Sequence, residues 1–286
     1  MEMKSVGKIT WGQDGAVFNN LLFRFDHMGN CTVYDLSAHP ENTQTEHTPL
    51  ARFTLDKADV IKPHSNSVSF GKEYYNKGDD FPLLYTNIYN NYSSYESKMI
   101  GVTCVYRIQR NGTKFSSTLV QIIEIGFTEN GLWKSQTIGD SRPYGNFVID
   151  CEKAVYYAFT MRDEDSTTRY FAFDLPKLCD GNHDEVFGVN RVVLGIDDLK
   201  FWFDCEYHRY LQGATFNGGL IYSTEGFTDD VNNPPALRII DPINKAQKEM
   251  HLFADHGTTV EPEFIAFENG VCHYCDNLGN LYTLEF

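Results

Sequence analysis

The stretch YLQGATFNGGLIYSTEG, residues 210–226, holds two short runs of β-branched and aromatic residues separated by Asn217, Gly218 and Gly219. Runs of four to eight such residues bounded by glycine or asparagine read as strands, and two of them joined by a glycine turn read as a hairpin. The layout recurs. QDGAVFNNLLFRF (13–25) has it near the start, and three further copies follow: SNSVSFG (65–71) with FPLLYTNIY (81–89), YGNFVIDCEKAVYYAF (144–159) and PEFIAFENGVCHYCD (262–276). Five copies of one hairpin in a single chain indicate a repeated unit.

A third strand-like run follows each copy: CTVYDLS, VTCVYRIQR, RYFAFDLP, ALRIIDP and NLYTLEF. A fourth closes several of them, as in PLARFTL, STLVQIIEIG and QKEMHLF. Four antiparallel strands per unit, with units about 50 to about 80 residues apart, make the blade of a propeller. The expected fold is all-β, a single five-bladed β-propeller domain over 1–286. Its blades fall near 12–62, 63–138, 139–207, 208–257 and 258–286 plus 1–11. The fifth copy ends after three strands, so KSVGKITW (4–11) is expected to complete it and close the ring, which removes an exposed sheet edge. A β-sandwich needs similar strands but has no reason to repeat one motif five times. The best helical candidate, TPLARFTLDKADVIK (48–62), fits neither the helix nor the strand period.

Composition is that of a globular chain, with 42% hydrophobic and 14% aromatic residues. A net charge of −15 repels phosphate backbones and anionic lipid, so nucleic acid is not expected as a partner. No apolar run is long enough for a membrane helix, and MEMKSVGKITWG lacks the apolar core of a signal peptide. The expectation is therefore a monomer without membrane insertion, cytoplasmic as given, or secreted or periplasmic had a leader been trimmed. Seven cysteines, an odd number scattered through strand-like runs, read as buried free thiols.

In a propeller the first strand of each blade lines the central channel and starts at one of its mouths. Aligning the five copies on Phe18, Phe70, Ile149, Phe216 and Phe267 places Asp14, Asn66, Gly145, Gln212 and Glu263 at one level, with Gln13, His64, Tyr144, Asn146 and Glu261 crowding the same rim. Polar residues belong at strand starts in any case, but a concave mouth with convergent polar groups is also where a ligand is sought. The expected function is recognition there of a neutral glycan or a protein segment, without a cofactor or metal. The ring makes the fifth blade the neighbour of the first, so Asp14 and Glu263 stand on adjacent blades as a like-charged pair with at least one raised pKa.

Two resemblances point to enzymes. Carboxylates across a channel resemble the arrangement of five-bladed furanosidases, which implies acid and base roles for Asp14 and Glu263; the third acid of those families has no counterpart at Gly145 and Asn146. QGATFNGGLIYSTEG resembles one blade of the propeller-type glutamine cyclotransferases through Gln212, Gly213, Phe216, Gly219, Tyr222 and Gly226. That family tends to place a glutamate directly after the tyrosine, where this chain has Ser223 and then Glu225. HSNSVSFGKEYYNKGDDFPLLY (64–85) resembles uncharacterised propeller-like proteins of gut anaerobes, and with Tyr89, Tyr92 and Tyr95 nearby it forms a tyrosine-rich insertion suited to sugars, to protein partners or to packing on its own neighbours.

Other motifs carry less. Cys272 and Cys275 form a CxxC, but positions i and i+3 of a strand face opposite ways and cannot share one zinc. RDEDS (162–166) and TDDVNNPP (228–235) read as acidic hairpin turns, and their spacing fits no EF-hand. The sequons at Asn91 and Asn111 matter only on a secretory route.

Overall fold

A computed structural model describes residues 1–37, 46–88, 102–125, 146–162, 167–206 and 210–286. Five sheets stand around one axis. The first blade is β2 (Gly15–Phe18), β3 (Leu21–Phe25), β4 (Asn30–Asp35) and β5 (Ala51–Thr54). The second contains β6 (His64–Phe70), β7 (Leu84–Ile88), β8 (Val102–Asn111) and β9 (Lys114–Ile125). The third is β10 (Asn146–Asp150), β11 (Val155–Arg162), β12 (Thr167–Asp174) and β15 (Leu199–Glu206), and the fourth runs through β16 (Leu211–Asn217), β17 (Leu220–Glu225), β18 (Ala236–Asp241) and β19 (Ala246–Leu252). The fifth consists of β20 (Pro262–Glu268), β21 (Val271–Asp276) and β22 (Asn280–Glu285), completed by β1 (Glu2–Lys8). Each inner strand lies beside its two neighbours in the ring, with β2 touching both β6 and β20.

Blades bury both faces, which is why inner and second strands such as β3 and β10 are buried at every position rather than at alternate ones. Five apolar clusters fill the five seams. Between the first two blades, Phe23 meets Phe70 and Phe81 edge-on, each at 5.2 Å, a geometry that suits the aromatic quadrupole. Between the fifth and first, Phe264 and Cys275 pack on Leu22 and Tyr34; between the fourth and fifth, Cys272 and Tyr274 pack on Tyr222 and Phe253. The two cysteines of the CxxC thus serve different seams, as their spacing requires, and every described cysteine is free.

Ring closure follows the expectation. β1 pairs antiparallel with β22 from Glu2 opposite Glu285 to Lys8 opposite Asn280, with one bulge between Ser5 and Gly7. The Ile9 amide then donates to the Gly279 carbonyl at 2.8 Å.

Each blade contains the expected four antiparallel strands, and one sheet goes further. The segment between β12 and β15 crosses to the second blade, where β14 (Val189–Leu194) adds in parallel to β9 and β13 (Asn182–Asp184) pairs with β14. Arg191 fixes it through Asp184 at 2.6 Å and Glu124 at 2.5 Å, and Phe187 inserts into the seam of the first two blades. The ambiguous 48–62 stretch resolves into β5 followed by a single helical turn, α1 (Ala58–Ile61), which explains why neither period fits. No helix among the described residues is long and apolar enough to cross a membrane.

Removing residues 1–8 strips β22 of its outer partner and takes Met1 and Met3 from the last seam. The expected outcome is loss of the cooperative thermal transition or aggregation on heating; an unchanged melting curve would contradict closure by β1.

Candidate functional site

At the end of the ring where the inner strands begin lies a cavity of about 330 Å³. Its floor is Gln13, Asn66, Gln212 and Glu263, all buried, one from each of the first, second, fourth and fifth blades. Its rim carries Trp11 (50% exposed) and Tyr210 (40%), with Phe227, His64, Glu261 and Asn277. Tyr210 and Phe227 are in contact, 4.0 Å between centroids.

β-Bulges shape this end. They fall between His64 and Val68, Leu211 and Ala214, and Pro262 and Phe264, in three of the five inner strands. A bulge inserts an extra residue and re-aims the side chains before it. His64 and Ser65 take consecutive left-handed conformations (φ 64° and 52°), which cost about 1–3 kcal/mol each outside glycine and persist only when surrounding structure enforces them.

Six of the residues expected at the mouth, Gln13, His64, Asn66, Gln212, Glu261 and Glu263, line the cavity. Asp14 does not. It is sealed at 0% exposure, with one carboxylate oxygen accepting the Val68 amide of the next blade at 2.8 Å. Asn146 is also buried behind the floor, its amide nitrogen donating to the Gln212 carbonyl. Tyr144 and Gly145 lie outside the described residues, as do Tyr89, Tyr92, Tyr95, the Asn91 sequon and most of RDEDS.

The axis beneath the cavity is pinched rather than open. Asn66 Nδ2 donates to the Leu211 carbonyl at 2.6 Å, joining blades two and four, which are not neighbours in the ring. Gly213 is required there: a Cβ on it would stand 2.6 Å from the Glu263 carbonyl and 3.0 Å from Asp14 Oδ1.

Four carboxyls and one guanidinium share this core. Arg24, fully buried, donates from Nη2 to the Gly12 carbonyl at 2.7 Å, while its Nε and Nη1 have no hydrogen-bond partner among the described residues. Burial drives the Glu263 pKa well above the ordinary glutamate range; Arg24 opposes this, and the charges of Glu261, Asp14 and Asp276 add to it. Burial likewise raises Asp14 strongly against its backbone hydrogen bonds and Arg24, and raises Asp276 and, against Asn277 and Gln212, Glu261. His64 is lowered to about 4 by burial and by His27, so its ring is neutral at physiological pH.

The orientation of the cavity's amides is fixed by their partners. Gln13 Nε2 faces Glu263 Oε1 at 3.3 Å, Gln212 Nε2 faces Glu261 Oε1 at 2.6 Å, and Asn277 Nδ2 faces Glu261 Oε2 at 3.0 Å. A carboxylate only accepts, so an amide beside one presents its nitrogen.

No protein-family model and no curated protein matches the sequence. Among solved structures, the glutaminyl cyclase of Myxococcus xanthus is 10% identical with a TM-score of 0.49, covering 100% of this chain and 96% of that one. BamB of Moraxella catarrhalis (9%, TM-score 0.35, 95% and 71%) and Sqt1 of Saccharomyces cerevisiae (10%, 0.39, 94% and 56%) are more distant. The fold rests on the strand pairings themselves, which make the chain a five-bladed propeller. In the hairpin resembling glutamine cyclotransferases, Gln212 reaches the cavity, whereas Glu225 is buried on β17 and held by Arg238 at 2.9 Å.

The sequence alignment misses Trp11, Tyr210, Phe227 and Asn277, which come from connections rather than strands. A signal for two of them exists: Trp11 and Tyr210 each precede a floor glutamine by two residues. The YYNKGDD insertion settles at the opposite end, where Asp79 binds Arg107 at 2.6 and 2.8 Å and Tyr75 covers that guanidinium at 5.0 Å. In TDDVNNPP, Asp230 accepts the amides of Asn232 and Asn233 and so builds the turn.

Asp14 supplies a pH test. Its folded pKa is raised, so between the unfolded value near 4 and the folded one the native state holds a proton that the unfolded chain has released, and stability falls as pH rises through that window. Asp14→Asn keeps an acceptor for Val68 and removes the titration. In urea unfolding its stability relative to wild type is expected to improve steadily above about pH 4; a difference independent of pH would mean that Asp14 titrates normally.

Proposed function

We propose that the protein is a recognition propeller that takes one residue of a protein segment or of a neutral glycan into the cavity at this end of the ring. The observation that carries the reading is the blind cavity itself: buried polar side chains from four blades form its floor and exposed aromatic rings its rim. About 330 Å³ is near the lower end of ligand pockets, room for a single side chain or sugar ring.

The hydrolase and cyclotransferase readings have narrower support. Glycoside hydrolysis by the common route needs two carboxyl groups flanking the bond, and the burial of Asp14 leaves Glu263 and the amide-bound Glu261 as the carboxyls on the cavity. Glu263, whose pKa burial raises well above the ordinary glutamate range, is the group that would act as an acid.

A glycan array and a peptide library, run beside chromogenic furanosides and glutaminyl peptides, test the proposal. Binding that weakens at least roughly tenfold in Trp11→Ala or Gln212→Ala, about 1.4 kcal/mol, with no turnover, is expected. Turnover abolished by Glu263→Gln would replace recognition with catalysis, and binding indifferent to both substitutions would remove the cavity from the function.

A further inference from the structure

The cavity's hydrogen-bonding groups are unevenly divided. Each of its four amides turns its nitrogen toward a protein acceptor: Gln13 toward Glu263, Gln212 and Asn277 toward Glu261, and Asn66 toward the Leu211 carbonyl. Two amide oxygens are left over: among the described residues, Asn66, 3% exposed, and Asn277 each have a buried Oδ1 without a hydrogen-bond partner. A buried acceptor without a donor is costly, so two spare acceptors in the cavity's wall favour a ligand that brings donors. The carboxyls of Glu261 and Glu263 line the same space, and those of Asp14 and Asp276 lie behind it, against the single guanidinium of Arg24.

We infer that the group this cavity accepts is a protonated primary amine on an aliphatic stem, namely the lysine side chain of a protein segment. The inference rests on the reading of the cavity as a recognition site and chooses between its two ligand classes. An ammonium brings three donors and no acceptor, which matches a floor of spare oxygens. A sugar hydroxyl both donates and accepts, and the amide nitrogens that would serve its lone pairs each already commit a hydrogen to the protein. The rim agrees with this choice: a methylene stem passing Trp11, Tyr210 and Phe227 stays against apolar surface while its charged end goes deeper, and aromatic faces favour a nearby cation. Burial raises the Glu263 pKa well above the ordinary glutamate range, and an ammonium beside it favours the charged carboxylate.

Isothermal titration of the intact protein with Nα-acetyl-lysine methylamide, its Nε-acetyl derivative, glucosamine and N-acetylglucosamine decides the matter. The free lysine derivative is expected to bind at least roughly tenfold tighter than its acetylated form, about 1.4 kcal/mol, and to lose at least that factor in Glu261→Gln. Glu261 is half-buried at the rim, so this variant is expected to fold, and Asn277→Leu provides a second one, with the wild-type melting curve as the control for either. Acetylated lysine binding as well as free lysine overturns the ammonium, and glucosamine binding as well as free lysine overturns the lysine stem; either leaves the cavity as a recognition site. Failure of all four probes while a peptide or glycan still binds in a Trp11-dependent way also overturns the inference alone. Failure of every probe, library and array ligand removes the recognition site as well.

Discussion

The inner strands converge so closely on the axis that the side chains of one blade must satisfy the backbone of another. Asn66 bonds the Leu211 carbonyl, Ser67 Oγ the Phe147 carbonyl, Asn146 the Gln212 carbonyl, and Asp14 the Val68 amide. Each is a buried polar group whose loss of partner would cost about 1–3 kcal/mol, and together they tie blades one to four at a single level. These ties convert what could have been an open tube into a closed floor. The cavity above the floor is their by-product, and so is its chemistry, because an amide that commits its nitrogen to a neighbouring strand has fewer donors left to offer.

The apolar seams explain why such a polar axis is tolerable. Each seam is a continuous layer of aromatic and branched side chains from two blades, and water excluded from the seams is also excluded from the inner strands that bound them. A carboxyl held there loses solvation, and Arg24 cannot compensate four of them. The raised pKa values at the axis are thus set by the packing of the ring, through Phe264, Tyr274 and their neighbours, as much as by the charges.

Most of the ring is readable from local pattern, since a hairpin with a glycine turn carries its own signature and repeats five times. The pairing of β1 with β22 is readable by elimination, as the one blade short of a strand matches the one strand short of a blade. What local pattern could not convey is pairing across long separations. β15 is an ordinary alternating run in KFWFDCE, but the insertion ahead of it hides which sheet it joins, and β14 leaves its own blade to extend another in parallel. At the site, counting back from Phe70, Phe216 and Phe267 finds Asn66, Gln212 and Glu263. The same count from Phe18 gives the buried Asp14, while its neighbour Gln13 reaches the cavity, because the count treats the strands as equivalent and bulges occur in β6, β16 and β20 but not in β2. Trp11, Tyr210, Phe227 and Asn277 sit on connections, where no period exists to be counted.

Closure of the ring by β1 also orders events in time. The strand at Glu2–Lys8 is made before the rest of the ring, and its partner at Asn280–Glu285 after it. At synthesis rates of about 5–20 residues per second the wait is on the order of 15 to 60 s, far longer than a hairpin needs to form. Four blades and the three seams between them can assemble while the first strand is still single and the axis still lacks Glu261 and Glu263. The propeller therefore becomes a ring, and its cavity gains its carboxyl wall, only once the fifth blade has been made.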